Sequence, residues 1–393
     1  MSATIPLKKP AAPTPAPNLH AFLELAFRPL YLAGTAWALI AIAIWVWAPQ
    51  VLTGPLQGIA WHAHEMLWGF IATIAVAFLM TAGANWTGIN PLKDGALGVA
   101  CLLWLAARIG FLAGGETMFW LGVAAELGFF LLAAVAMMRS VYRAKNARNY
   151  AVPWLLVALG AADGLYLVAA HDGDYALLMQ RFNVGLLAMA LIALLIARRV
   201  IPFFAMRAVA GLQLPMQTRI GQVQLAACGV AAACLLAGQK LPAAVALGLT
   251  RAISLLQVLR WKPWAVRGNP LLWILYAGYA GLGVGLLMAA CAAAGASLPP
   301  ALPVHMIAMA GFSVLIIGMV TRTALGHLGR PLAADRSIVA SYVLVLLAVA
   351  LRLVALAPSA FSQPALHLSA TAWIAALALY LWRFAPLMIR PRR

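Results

Sequence analysis

Residues 302–321 read LPVHMIAMAGFSVLIIGMVT, a run without a single Asp, Glu, Lys or Arg, and Arg322 closes it. A helix needs about 20 mainly apolar residues to cross the hydrocarbon core of a bilayer. This run meets that length, and its neighbours repeat it. Further apolar stretches lie at about 30–48, 63–82, 96–113, 117–138, 151–170, 178–197, 220–238, 241–259, 270–294, 337–357 and 367–386, making twelve in all and leaving only short loops. Composition agrees with that count. The chain has 393 residues, 65% hydrophobic and 9% charged, with a mean hydropathy of +0.94. A soluble globular domain carries roughly 25% charge, so these charges are too few to wet the surface of 41.6 kDa of protein. A soluble enzyme, a disordered chain, a disulfide scaffold and a coiled coil are excluded. The expected fold is all-α, a polytopic integral membrane helical bundle.

The net charge of +18 suggests nucleic acid until its placement is read. Of the 27 Lys and Arg, 22 fall in the termini and in alternate loops. The opposite loops carry only Lys240, while Arg108, Arg181, Arg251 and Arg352 lie within spans. By the positive-inside rule both termini are cytoplasmic. The basic pI then reports topology and anionic lipid headgroups, and no nucleic-acid partner is expected. Residues 1–22, with the run PAAPTPAP, read as a disordered cytoplasmic tail, and residues 23–393 as the twelve-helix domain. No cleavable signal precedes the first span. Cys101, Cys228, Cys234 and Cys291 sit in apolar spans and read as small packing residues. Gly281, Gly283 and Gly285 suit close helix packing. The chain lacks a convincing internal repeat, which counts against a transporter built from two similar halves.

Ionisable groups at membrane depth are expensive to keep, so the function is sought in them. The densest constellation is Trp61-His62-Ala63-His64-Glu65-Met66-Leu67-Trp68-Gly69-Phe70. It lacks the second His of the zinc-protease pattern H-E-x-x-H. His62 and His64 are about 200° apart around a helix, so one face carries His62 and Met66 and the other carries His64 and Trp68. In the tenth span Pro303 suits a first helical position, with His305 behind it and Met309 on the same face. Both spans run in the same direction, so His62, His64 and His305 lie at similar depth. Imidazole and thioether are ligands for haem iron and for Cu(I). The alternative is that each histidine is an interfacial polar residue at a helix end. His171, beside Asp172 and Asp174, reads as part of a wet loop, and His367 as a supporting group. His327 lies about 33 Å along a helix from His305, too far to share an ion. Its setting, Gly326-His327-Leu328-Gly329-Arg330, suits an anion, haem propionates or a second metal, or else a tight turn facing headgroups.

Arg108, Arg181 and Arg352 fall in the outer halves of their spans. Arginine forks bind carboxylates, so haem propionates or Glu126 and Asp163 are their candidate partners, with Asn183 close behind Arg181. Glu65 adjoins His64 and is the candidate proton carrier. Arg251 must also find a partner.

These residues resemble the NnrS family. The resemblance rests on Phe27-Arg28-Pro29, on His62 through Phe70, on Asn85-Trp86-Thr87-Gly88, on Arg199-Val200-Ile201-Pro202-Phe203-Phe204, and on His305 followed by Arg322 and Gly326 to Arg330. The sequence departs at Leu328, where a small polar residue is expected, and at Ala205, where Thr often occurs in the family. The resemblance implies a multi-pass protein of the bacterial inner (cytoplasmic) membrane that binds haem, expected b-type, and copper, linked to nitric oxide metabolism and nitrosative-stress tolerance. The expectation leans towards an oxidoreductase that reduces nitric oxide. His64 and His305 are then the first choice for haem, His62 with Met66 for copper, and Met309 a further metal ligand. Arg108, Arg181, Arg352, His327 and Arg330 are supports for the cofactor, and Glu65 is catalytic. Electrons would come from quinol or a separate donor. The rival readings are a metal or small-anion transporter and a non-catalytic haem or copper sensor or assembly factor.

Overall fold

A computed structural model describes residues 16–392. Lys8, Lys9 and most of the Pro- and Ala-rich tail lie outside the described residues. The described residues form thirteen helices and no strand. A short α1 (Leu19–Leu23) precedes twelve helices long and apolar enough to cross a membrane. These are α2 (Phe27–Trp47), α3 (Gly58–Thr87), α4 (Asp94–Ala113), α5 (Glu116–Arg143), α6 (Ala151–His171) and α7 (Tyr175–Ala208), then α8 (Thr218–Leu236), α9 (Lys240–Arg260), α10 (Pro270–Ala293), α11 (Ala301–His327), α12 (Arg336–Ala355) and α13 (Ser362–Met388). All twelve expected spans are present, and the polytopic helical bundle is the fold.

Two boundaries differ from expectation. The tail ends before residue 22, because Asn18 accepts a hydrogen bond from the Ala21 amide and starts α1, while its own N–H donates to the Ile389 carbonyl at 2.9 Å. The sixth span runs eleven residues past its expected end at 197. Arg198 and Arg199 end the apolar run, but α7 continues through Pro202 to Ala208. Hydropathy marks where the lipid-compatible surface stops, and backbone hydrogen bonding carries the helix further.

Successive helices pack side by side from α4 to α13, and the last, α13, packs against α2. Inside stand α3, α7 and α11, with 89%, 72% and 67% of their apolar windows buried. Apolar side chains such as Leu241, Val245 and Trp382 point outward, as a lipid-facing surface requires. Glycine sets the closest approach. A Cβ on Gly281 would overlap the Ala310 carbonyl oxygen, and one on Gly285 would lie 2.7 Å from the Ile307 amide, so α10 lies directly against the α11 backbone.

The two central helices that carry His62, His64 and His305 share one irregularity. Each widens into a π-helical stretch beside its histidines, Glu65–Ala72 in α3 and Met306–Ser313 in α11. Each stretch ends on a hydroxyl that donates to a carbonyl five residues back, Thr73 to Trp68 at 3.1 Å and Ser313 to Ala308 at 2.8 Å. The wider turn rotates the remainder of the helix about its axis, and such turns occur often at functional sites.

Candidate functional site

The histidines of α3 divide between two environments, as their angular separation requires. His62 faces a cavity of about 300 Å³ bounded by α2, α3, α7, α11, α12 and α13. His305, Met66, Met309 and Arg352 line the same cavity. The His62 ring stacks on Trp45 with centroids 4.9 Å apart and planes 11° apart, and its Nδ1 is buried without a partner among the described residues. In His305, Nδ1 donates to the Ala301 carbonyl at 2.7 Å. That bond selects the tautomer whose Nε2 keeps a lone pair free for a ligand. Among the described residues no Asp or Glu lines the cavity, so Arg352 enters a largely apolar space without a carboxylate partner there.

His64 is elsewhere. The expected pairing of His64 with His305 is not formed: His64 is fully buried on the far side of α3. Its Nδ1 lies 2.9 Å from Glu65 Oε1 and its Nε2 3.0 Å from Asp163 Oδ1. Both ring nitrogens are occupied by carboxylate oxygens, and neither is left for iron. Glu65 belongs to the same knot. Its Oε2 accepts from Arg108 Nη1 at 2.5 Å and from the Trp37 indole, and Arg108 Nη2 pairs with Glu126. His64, Glu65, Arg108, Glu126 and Asp163 are each at most 1% exposed. Charges at such depth persist only when paired. Gly69 makes the space, since a Cβ there would overlap Arg108 Nη1 and lie 2.6 Å from Glu65 Oε2.

The remaining candidates scatter. Arg108 has the carboxylate partners expected of it, whereas Arg181 lines neither this cavity nor the knot. Asn183 donates to the Met179 carbonyl at 2.8 Å. His171 lies 2.9 Å from Glu116 and 3.3 Å from Asp172, His367 lies 3.2 Å from Gln363, and His20 lies 3.2 Å from Asp94. His327 packs against Phe27 at the opposite end of the bundle and lines a second cavity, which Arg330 does not. Among the described residues no group of three or more His, Cys, Asp and Glu is arranged to hold a metal ion. Any metal in the first cavity must therefore use thioethers or a macrocycle beside the two imidazoles. Trp45 and Met179 escaped the sequence reading because only the packing of α2 and α7 brings them to this wall.

A match to the NnrS protein family spans residues 21–392. The chain belongs to the NnrS family. No curated protein matches it. Membership supports a membrane protein of the nitric oxide response. Residues from four of the five stretches that carried the resemblance line two cavities, and Phe27-Arg28-Pro29 lines neither. His62, Met66, Phe70 and His305 meet at the first cavity, and Asn85, Trp86, Arg199, Phe203, Phe204, Arg322 and His327 at the second.

Proposed function

We propose that the cavity between α3 and α11 binds haem and copper, and that the protein reduces nitric oxide there. The observation that carries this reading is the pair His62 and His305, from the two central π-widened helices, on one largely apolar cavity. His62 replaces His64 as the partner of His305. The donor set fits the group in three respects. His305 presents Nε2 with its tautomer fixed by Ala301, and His62 has a buried Nδ1 with no partner among the described residues. Arg352, on the same cavity, would supply a cation for a propionate. Met66 and Met309 stand one helical turn beyond the two histidines and offer copper the soft ligands it prefers. Bound haem would supply the one-electron chemistry that nitric oxide reduction requires.

The chain's own residues do the rest. Trp45 holds the His62 ring by stacking. The apolar wall excludes water and admits a small apolar gas from the bilayer. Glu65 does not line the cavity. Its carboxylate accepts from Arg108 and the Trp37 indole, and its Oε1 would accept the His64 Nδ1 hydrogen, in a knot one helix face away. Electrons come from quinol or a separate carrier, since the described residues include no soluble domain for them.

The test is an absorption spectrum and metal analysis of detergent-purified protein, then anaerobic addition of nitric oxide with a reductant. The expected result is a haem Soret band, stoichiometric copper and consumption of nitric oxide. Colourless protein, with haem and copper supplied during expression, would overturn the reading.

A further inference from the structure

The second cavity, about 890 Å³, opens at the arginine-rich end of the bundle, between α3, α7, α11 and the segment joining α5 to α6. Arg148, Arg199, Arg207, Arg322 and His327 line it, and among the described residues no Asp or Glu does. Arg199 is held in place by neutral acceptors, the Asn149 side chain at 2.7 Å and the Arg148 carbonyl at 3.1 Å. Arg322 is only 6% exposed, and its guanidinium lies 4.0 Å from the centre of the Phe204 ring. Among the described residues it has no carboxylate partner. A guanidinium so deeply buried is costly unless an anion answers it. Four arginines around one cavity also repel one another, and a single carboxylate would not neutralise them. The sequence builds this concentration through one extended helix: α7 continues past its apolar span, through Pro202, to bring Arg199 and Arg207 to the wall.

We propose that this cavity is a binding site for a phosphate-bearing anion. Phosphate offers multiple charges and several acceptor oxygens, which guanidinium forks match in pairs. The volume falls within the range of small-molecule sites. The phosphoryl group belongs either to a soluble molecule or to a lipid headgroup, and both meet the same arginines. This site does not depend on haem or copper in the first cavity.

The full chain in phosphatidylcholine nanodiscs is titrated with inorganic pyrophosphate by calorimetry. In parallel, discs containing phosphatidylglycerol are examined by native mass spectrometry for retained lipid. Arg322→Gln and Arg199→Gln are compared with the wild type and with Arg336→Gln, an exposed arginine outside the cavity. The site is supported if Arg322→Gln and Arg199→Gln weaken pyrophosphate binding by about tenfold or more, the loss of one charge-assisted contact, while Arg336→Gln does not. Phosphatidylglycerol retained by the wild type and lost in those two variants supports it equally and assigns the anion to lipid. Arg322→Lys keeps the charge, and it must retain more binding than Arg322→Gln. Binding of neither probe, or binding equal in all five proteins, would overturn the proposal.

Discussion

His62 and His64 are two positions apart, yet one opens onto a cavity and the other is locked between Glu65 and Asp163. That they part company is a consequence of helical spacing alone. Which of them meets His305 is not, because Asp163 arrives from α6 and Arg108 from α4, and no local pattern announces either. Glu126 and Asp163 were legible as partners for buried charge, but the position of His64 between two carboxylates was not. The knot makes a prediction at this scale. Arg108→Ala leaves Glu65 and Glu126 buried without their cation, which costs about 3–5 kcal/mol. Arg181→Ala, with no comparable partner, changes stability by less than about 0.5 kcal/mol. Denaturation of the two variants in the same detergent distinguishes them, and equal losses would remove Arg108 from its central place. Gly69→Ala, which pushes a methyl into Arg108 and Glu65, behaves like the weakened knot and not like a surface change.

Among the elements, the spans were readable because lipid demands a continuous apolar run, and the helix ends were not, because Arg198 and Arg199 interrupt the run without interrupting the helix. The π-helical stretches left no trace in hydropathy. Their endings at Thr73 and Ser313 are visible only through hydroxyls that reach back five residues. The contact of α10 with α11 depends on Gly281, so Gly281→Leu separates the two helices and moves His305. A lowered melting temperature is the expected outcome, with loss of the Soret band if haem is held as proposed. A cap gives a pH-dependent test. Asp335, outside the spans, starts α12 by accepting from the Ile338 amide at 3.1 Å, and it pairs with Arg383 at 2.8 Å. Partial burial raises its pKa, but the bonds from Ser337, Arg383 and Ile338 outweigh that and hold the value at about 2, below the ordinary 3.8. A depressed folded pKa stabilises above the unfolded value and is lost as pH falls through the folded one. Asp335→Asn keeps a capping oxygen but loses the charge that faces Arg383, so it is less stable than the wild type by up to about 1 kcal/mol at neutral pH. Melting curves should show that gap persisting down to about pH 4 and closing towards pH 2.

On the scale of the molecule, the first and last spans meet where α13 packs on α2, and Arg28 is the clasp. It is 1% exposed, and its Nη1 donates to the Met388 and Arg390 carbonyls at 2.9 and 2.5 Å. The Phe27-Arg28-Pro29 stretch that helped carry the resemblance thus ties the first and last spans together. An even number of spans places both chain ends on one face, so tags at residues 1 and 393 should be cleaved by a protease added to the same side of sealed vesicles. The central α3 and α11 bring one imidazole each to a shared cavity, and the functional account rests on that convergence. Its most direct test is the haem content of His62→Ala, His305→Ala and His64→Ala proteins, purified in parallel and read from the Soret band and the pyridine haemochrome. The account predicts loss of haem from the His62 and His305 variants and a band of unchanged position in whatever folded His64 variant is recovered. Full haem in the first two, or an altered ligand spectrum in the third, would contradict it.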